Sequence, residues 1–119
     1  MTFEIIHDFT FEAAHFLPAV SEGHRCRRLH GHTYQVSLHL SGPLDPVFAW
    51  VMDFAEMERV FRPLLDTLDH RLLNEIPGLE NPTAEQIAAW ILTYLRSDLP
   101  QLTQVVVHEN PTSRAIARP

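Results

Sequence analysis

Two stretches of the chain alternate apolar and polar residues with a period of two, and each places histidine on its apolar side. From residue 30 one side reads His30, His32, Tyr34, Val36, Leu38 and Leu40, and the other Thr33, Gln35, Ser37 and His39. That is the pattern of a half-buried strand. Over residues 2–16, Phe3, Ile5, His7, Phe9, Phe11, Ala13 and His15 share one side, opposite Glu4, Asp8, Thr10 and Glu12. His15 closes the first apolar face and His30 opens the second. In an antiparallel hairpin the end of one strand lies beside the start of the next, so His15, His30 and His32 are expected to converge. A polar ring on a buried face costs free energy unless it is satisfied. Any one of these histidines alone reads most simply as a hydrogen-bonded core residue. Together they point to a metal ion. Three imidazoles with a fourth position open suit catalytic zinc, whereas structural zinc sites close with four protein ligands.

The segment joining the two strands, residues 17–29, holds Pro18, Ser21, Gly23 and several charges, and reads as a loop. Loops of that length in a compact domain are often functional. This one carries Cys26, four residues before His30, flanked by Arg25, Arg27 and Arg28. It is the only cysteine, which excludes an intrachain disulfide and makes it a candidate reactive thiol. Neighbouring cations would favour its thiolate.

Further along, Gly42-Pro43 and Asp45-Pro46 mark turns, and Trp50 to Met52 reads as a short extended piece. Asp53 with Glu56 forms a helix-start signature, followed by an apolar stripe at Phe54, Met57, Phe61, Leu64, Leu65 and Leu68. Pro63 within it predicts an interruption. Thr83 with Gln86 repeats the signature before Ile87, Trp90, Ile91, Tyr94 and Leu95. Val105-Val106-Val107 is a strand with Glu109 at its far end, and residues 113–118 make a weaker last strand. The order is β-β-α-α-β-β. It predicts one α+β domain over residues 1–119, an antiparallel four-stranded sheet with two helices on one face. Its strand edges invite self-association.

The net charge of −6 argues against nucleic acid or an anionic membrane as partner. No apolar run is long enough for a membrane span and the N-terminus is unlike a signal peptide, so a cytoplasmic protein is expected. Asp69-His70, where the first helix ends, offers a carboxylate and an imidazole for acid/base work. Glu109 could accept hydrogen bonds from an amidine-like ligand edge. Taken singly, both read as ordinary surface charges.

Phe11-Glu-Ala-Ala-His15, Cys26-x3-His30-Gly-His32, Leu68-Asp-His70, Gly78-Leu-Glu-Asn-Pro-Thr83-x-Glu85 and Glu109 together resemble the 6-pyruvoyltetrahydropterin synthase superfamily. Within it, the spacing from Cys26 to His30 resembles the bacterial queuosine-branch 6-carboxytetrahydropterin synthases. The resemblance implies a tunnelling fold whose subunits join edge to edge into a ring, a hexamer or other assembly, with active sites between subunits. It implies Zn2+ on His15, His30 and His32, an acid/base set of Cys26, Asp69 and His70, and Glu109 as anchor for a pterin ring. The implied reaction converts 7,8-dihydroneopterin triphosphate to 6-carboxy-5,6,7,8-tetrahydropterin, acetaldehyde and triphosphate. A pyruvoyl product from the same residues, or a non-catalytic zinc or pterin binding module, are the alternatives. The chain departs from the pattern at Asn110, where the family has a small hydroxyl residue, and at Arg27, where close relatives often carry a small one. An acidic chain binding a triphosphate needs a local basic field, for which Arg27 and Arg28 are the candidates.

Overall fold

The computed structural model describes residues 1–119. The two alternating stretches form β1 (Phe3–His15) and β2 (His30–Gly42), paired antiparallel along their whole length with Phe3 opposite Gly42 and His15 opposite His30. The remaining elements are α1 (Phe54–Leu68), β3 (Arg71–Leu72), α2 (Ala84–Leu95), β4 (Leu102–Asn110) and β5 (Ser113–Ala117). Single 3-10 turns occupy Arg25–Arg27 and Leu73–Glu75. β2 pairs with β4 and β4 with β5, both antiparallel.

The sheet has five strands in the order β3-β1-β2-β4-β5, and it is mixed rather than four-stranded and antiparallel. The extra strand β3 lies parallel to β1, pairing Arg71 with Ala13 and Leu72 with Ala14. Its cause lies at the end of α1. Asp69 accepts a hydrogen bond from the Glu12 amide at 2.9 Å, and the His70 amide donates to the Glu12 carbonyl at 2.6 Å. These bonds draw the chain alongside the free edge of β1. Two residues are too few to show a periodic pattern. Beyond this short pairing and the bonds at Glu12, β1 keeps an open edge from Phe3 to Phe11, and β5 is the edge on the other side.

The apolar faces of β1 and β2 supply the centre of the core, with Phe11, Tyr34, Val36, Leu38 and Leu40 buried. α1 packs over β1 through Met57, Phe61 and Leu68, and α2 covers β4 and β5 through Ile87, Ile91 and Leu95. Asp53 caps α1 by accepting from the Ala55 amide, while Glu56 turns to Arg59 instead of reaching back. Thr83 caps α2 by accepting from the Gln86 amide. α1 is continuous through Pro63, contrary to the expected interruption. The proline leaves without a donor only the carbonyl of Arg59, an exposed residue that water can satisfy. Trp50 to Met52 is not extended. Asp45 instead closes a turn by accepting from the Val47 and Phe48 amides, and its own amide donates to the Trp50 carbonyl. No helix is long and apolar enough to cross a membrane.

Candidate active site

The pairing of His15 with His30, and of Ala13 with His32, puts three imidazoles at one end of the hairpin. Their ligand nitrogens all lie within 4.8 Å of one another. His15 is fully buried, whereas His30 and His32 are half-buried.

The hydrogen bonds determine which nitrogens carry protons. His15 Nδ1 lies 2.9 Å from the Pro82 carbonyl and His30 Nδ1 2.6 Å from the Arg28 carbonyl. A carbonyl only accepts, so both Nδ1 atoms donate, and in the neutral rings both Nε2 atoms hold lone pairs. Those two Nε2 atoms face each other at 3.0 Å. His32 Nε2 is buried with no hydrogen-bond partner. Burial first holds the His15 and His32 rings below the ordinary imidazole range and so favours their neutral forms, against the opposing pull of the Pro82 hydrogen bond and then Glu109 on His15, and of Glu109 on His32. The three ring nitrogens lie close enough together that the group could hold a metal ion. Tetrahedral zinc spaces its nitrogen ligands about 3.3 Å apart, close to the His15–His30 separation. Two groups support His15 from behind. The Pro82 carbonyl comes from the segment before α2, and the Tyr34 hydroxyl lies 3.2 Å from Nδ1. Burial first, and Glu109 second, hold that phenol far above its ordinary pKa, so it stays protonated.

Glu109 reaches the same point. One carboxylate oxygen is 3.6 Å from both His15 Nε2 and His32 Nε2. The β4–β5 pairing slips between His108 and Asn110, which makes Glu109 the bulged residue. A bulge re-aims the side chain it carries.

A cavity of about 410 Å³ opens beside the histidines, and Cys26, Arg25, Arg28, Glu109 and Asn110 are among its lining residues. Cys26 is held there because its carbonyl accepts from the Leu17 amide at 2.8 Å and its amide donates to His24 Nδ1 at 3.0 Å. Of the two arginines singled out above, Arg28 lines the cavity. The Arg27 guanidinium instead donates to the Val20 carbonyl at 2.8 Å, bracing the loop, and Arg25 takes the second place on the wall. Asn110 is turned inward to its own hairpin, accepting from both the amide and the hydroxyl of Thr112.

Asp69 and His70 do pair, with Oδ2 3.0 Å from Nδ1, but neither lines this cavity. The pair sits against Glu12, whose side chain is on the opposite face of β1 from His15. The Glu12 amide, and then His70, hold the Asp69 carboxyl below its ordinary range. His70 has a φ of 57° and is exposed. One chain thus assembles the histidines, Cys26 and Glu109, and displays the Asp69–His70 pair elsewhere. Pro82 and Tyr34 had no role assigned from the sequence, and Arg25 stood there only among the cations favouring the Cys26 thiolate. Tyr34 had a signal there, a hydroxyl on the same apolar face as the histidines.

The sequence matches the 6-pyruvoyl tetrahydropterin synthase family over residues 4–119. It is 42% identical over 117 residues to a 6-carboxy-5,6,7,8-tetrahydropterin synthase of Synechocystis sp., covering 93% of this chain and 89% of the relative. It is 36% identical over 100 residues to a dihydroneopterin monophosphate aldolase of Pyrococcus furiosus, covering 84% and 81%. The fold superposes on a Caenorhabditis elegans 6-pyruvoyl tetrahydropterin synthase with a TM-score of 0.92 at 25% identity, over 100% of this chain and 96% of the other. With a matching fold and a match along nearly its whole length, the chain belongs to the 6-pyruvoyl tetrahydropterin synthase family.

Proposed function

We propose that this single-domain chain is a zinc-dependent 6-carboxy-5,6,7,8-tetrahydropterin synthase. It would convert 7,8-dihydroneopterin triphosphate to 6-carboxytetrahydropterin, acetaldehyde and triphosphate, a step toward queuosine-type 7-deazapurines. The observation that carries this is the clustering of His15, His30 and His32 beside a cavity lined by His30, His32, Cys26 and Glu109. The relative from Synechocystis sp. supports the choice of product.

His15, His30 and His32 would hold the metal. Zinc bound there supplies Lewis acidity, lowering the pKa of a substrate hydroxyl and polarising a carbonyl. The Glu109 carboxylate accepts hydrogen bonds from the amidine-like edge of the pterin, which fixes the ring relative to the histidines. The Cys26 thiolate takes a proton from the substrate side chain, with Arg25 and Arg28 favouring the anion. The same two guanidinium groups, which line the cavity, would bind phosphate oxygens. Asp69 orients His70 as a second acid/base group. Because that pair lies away from the cavity of its own chain, it would serve the site of a neighbouring subunit. The open edges of β1 and β5 give a cytoplasmic ring-shaped homo-oligomer its route of assembly.

Incubation with dihydroneopterin triphosphate, followed by mass analysis of products, tests this reading. Carboxytetrahydropterin with one equivalent each of acetaldehyde and triphosphate is expected. A pyruvoyl product without acetaldehyde would reassign the reaction. Binding without turnover would leave a pterin-binding module.

A further inference from the structure

We infer that Asn74 is a positioning residue for the metal and thiol groups of this site. It lies in the 3-10 turn Leu73–Glu75, outside the cavity wall, yet its carboxamide makes three main-chain hydrogen bonds. Oδ1 accepts from the Phe16 amide at 3.0 Å, and Nδ2 donates to the Phe16 carbonyl at 2.8 Å and the Glu80 carbonyl at 3.3 Å. The first two bonds copy the donor-acceptor pairing of a neighbouring strand, just past the end of β1 on the side where β3 has stopped.

The three anchored groups each adjoin a working part of the site. Phe16 directly follows His15. Leu17, next in sequence, donates to the Cys26 carbonyl at 2.8 Å, so the thiol loop hangs from the segment that Asn74 holds. Glu80 precedes by two residues Pro82, whose carbonyl sets the His15 tautomer. One side chain thus ties together the strand end carrying a ligand, the loop carrying the thiol, and the segment orienting that ligand. The bond set also specifies the residue. It requires one acceptor and two N–H donors in a plane on a one-carbon stem, which asparagine alone provides. Aspartate has the same size but would press an oxygen against two carbonyls.

The zinc arm of the test rests on the function proposed above, whereas the thiol and exchange arms do not. Asn74→Asp and Asn74→Ala are made in the full chain and checked for folding by circular dichroism. Zinc affinity is measured by chelator competition, Cys26 accessibility by its alkylation rate, and kcat and KM with the pterin triphosphate. Loss of outer support to a metal ligand usually weakens binding about 10- to 100-fold. The same loss is expected here, with kcat down about 10-fold or more, KM within about 3-fold, and a changed alkylation rate. Folded variants with wild-type zinc affinity, alkylation rate and kcat would overturn the inference. Should neither variant fold, hydrogen exchange in the wild type decides, because the Phe16 amide must be protected and rapid exchange there would refute the latch. A wild-type chain that binds no zinc would sink the metal reading and still leave alkylation and exchange to judge Asn74.

Discussion

His15 and His30 face each other across the end of the β1–β2 hairpin with their Nε2 atoms 3.0 Å apart, and with both Nδ1 atoms donating to carbonyls the neutral rings have no proton on either Nε2. Between neutral rings two lone pairs at that distance repel, a repulsion that a cation bound between them would relieve. We predict one zinc per chain in freshly purified active protein, read by elemental analysis. Chelation should lower the melting temperature and zinc should restore it. A ligand at a thousandfold its Kd stabilises by about 4 kcal/mol. Active protein free of transition metal, or melting unmoved by chelator, would remove the metal from this site.

Tyr34→Phe deletes one of two groups behind His15 Nδ1 and leaves the other, the Pro82 carbonyl, in place. The ring still stacks on Phe11. The fold should survive with a loss of about 1 kcal/mol, the usual net worth of a hydrogen bond. Zinc affinity should fall by about 3- to 10-fold, below the full effect of losing a ligand's outer partner. Chelator competition measures it, and unchanged affinity would confine Tyr34 to packing.

Cys26→Ala should retain zinc and fold but lose about 10²-fold in kcat, the scale of a removed acid/base group. The thiol is placed on the cavity by main-chain bonds that alanine keeps. Single-turnover kinetics at saturating substrate would show it, and a wild-type kcat would exclude Cys26 from proton transfer.

Arg28 and Arg27 should separate in steady-state kinetics. Arg28 lines the cavity, whereas Arg27 is committed to the Val20 carbonyl. Arg28→Ala should raise KM by about 10-fold or more, as for a lost charge-assisted hydrogen bond, and flatten the salt dependence of kcat/KM. Arg27→Ala should change KM less and leave the salt slope intact. Equal effects of the two substitutions would place the phosphates elsewhere.

Asp69 gives a pH signature. Its carboxyl is held below the ordinary value of 3.8, first by the Glu12 amide and then by His70. A depressed folded-state pKa adds stability that is present above the unfolded value and lost as pH falls through the folded one. Asp69→Asn should therefore lower the denaturant midpoint at pH 7, and the difference should shrink as pH falls from about 3.8, where the unfolded-state carboxyl begins to gain its proton, through the lower value at which the folded one does. A gap that stays constant down to pH 2 would show that the charge plays no part.

The hairpin and its histidines were legible in the sequence because a period of two assigns faces residue by residue, and an antiparallel turn leaves little choice of which ends meet. The apolar stripes of α1 and α2 and their caps were legible for the same local reason. β3 was not, because two residues have no period and their pairing depends on bonds from Asp69 and His70 to a strand far away in sequence. The division of labour among the arginines was equally hidden. Arg25, Arg27 and Arg28 are alike in composition, and only the 3-10 turn at Arg25–Arg27 decides which of them face the cavity. Residue type and spacing determined which chemistry this chain can support. Tertiary structure decided which lone pairs point at one another, because that depends on carbonyls such as Pro82 brought from elsewhere in the chain, and sequence periodicity carries no information about them.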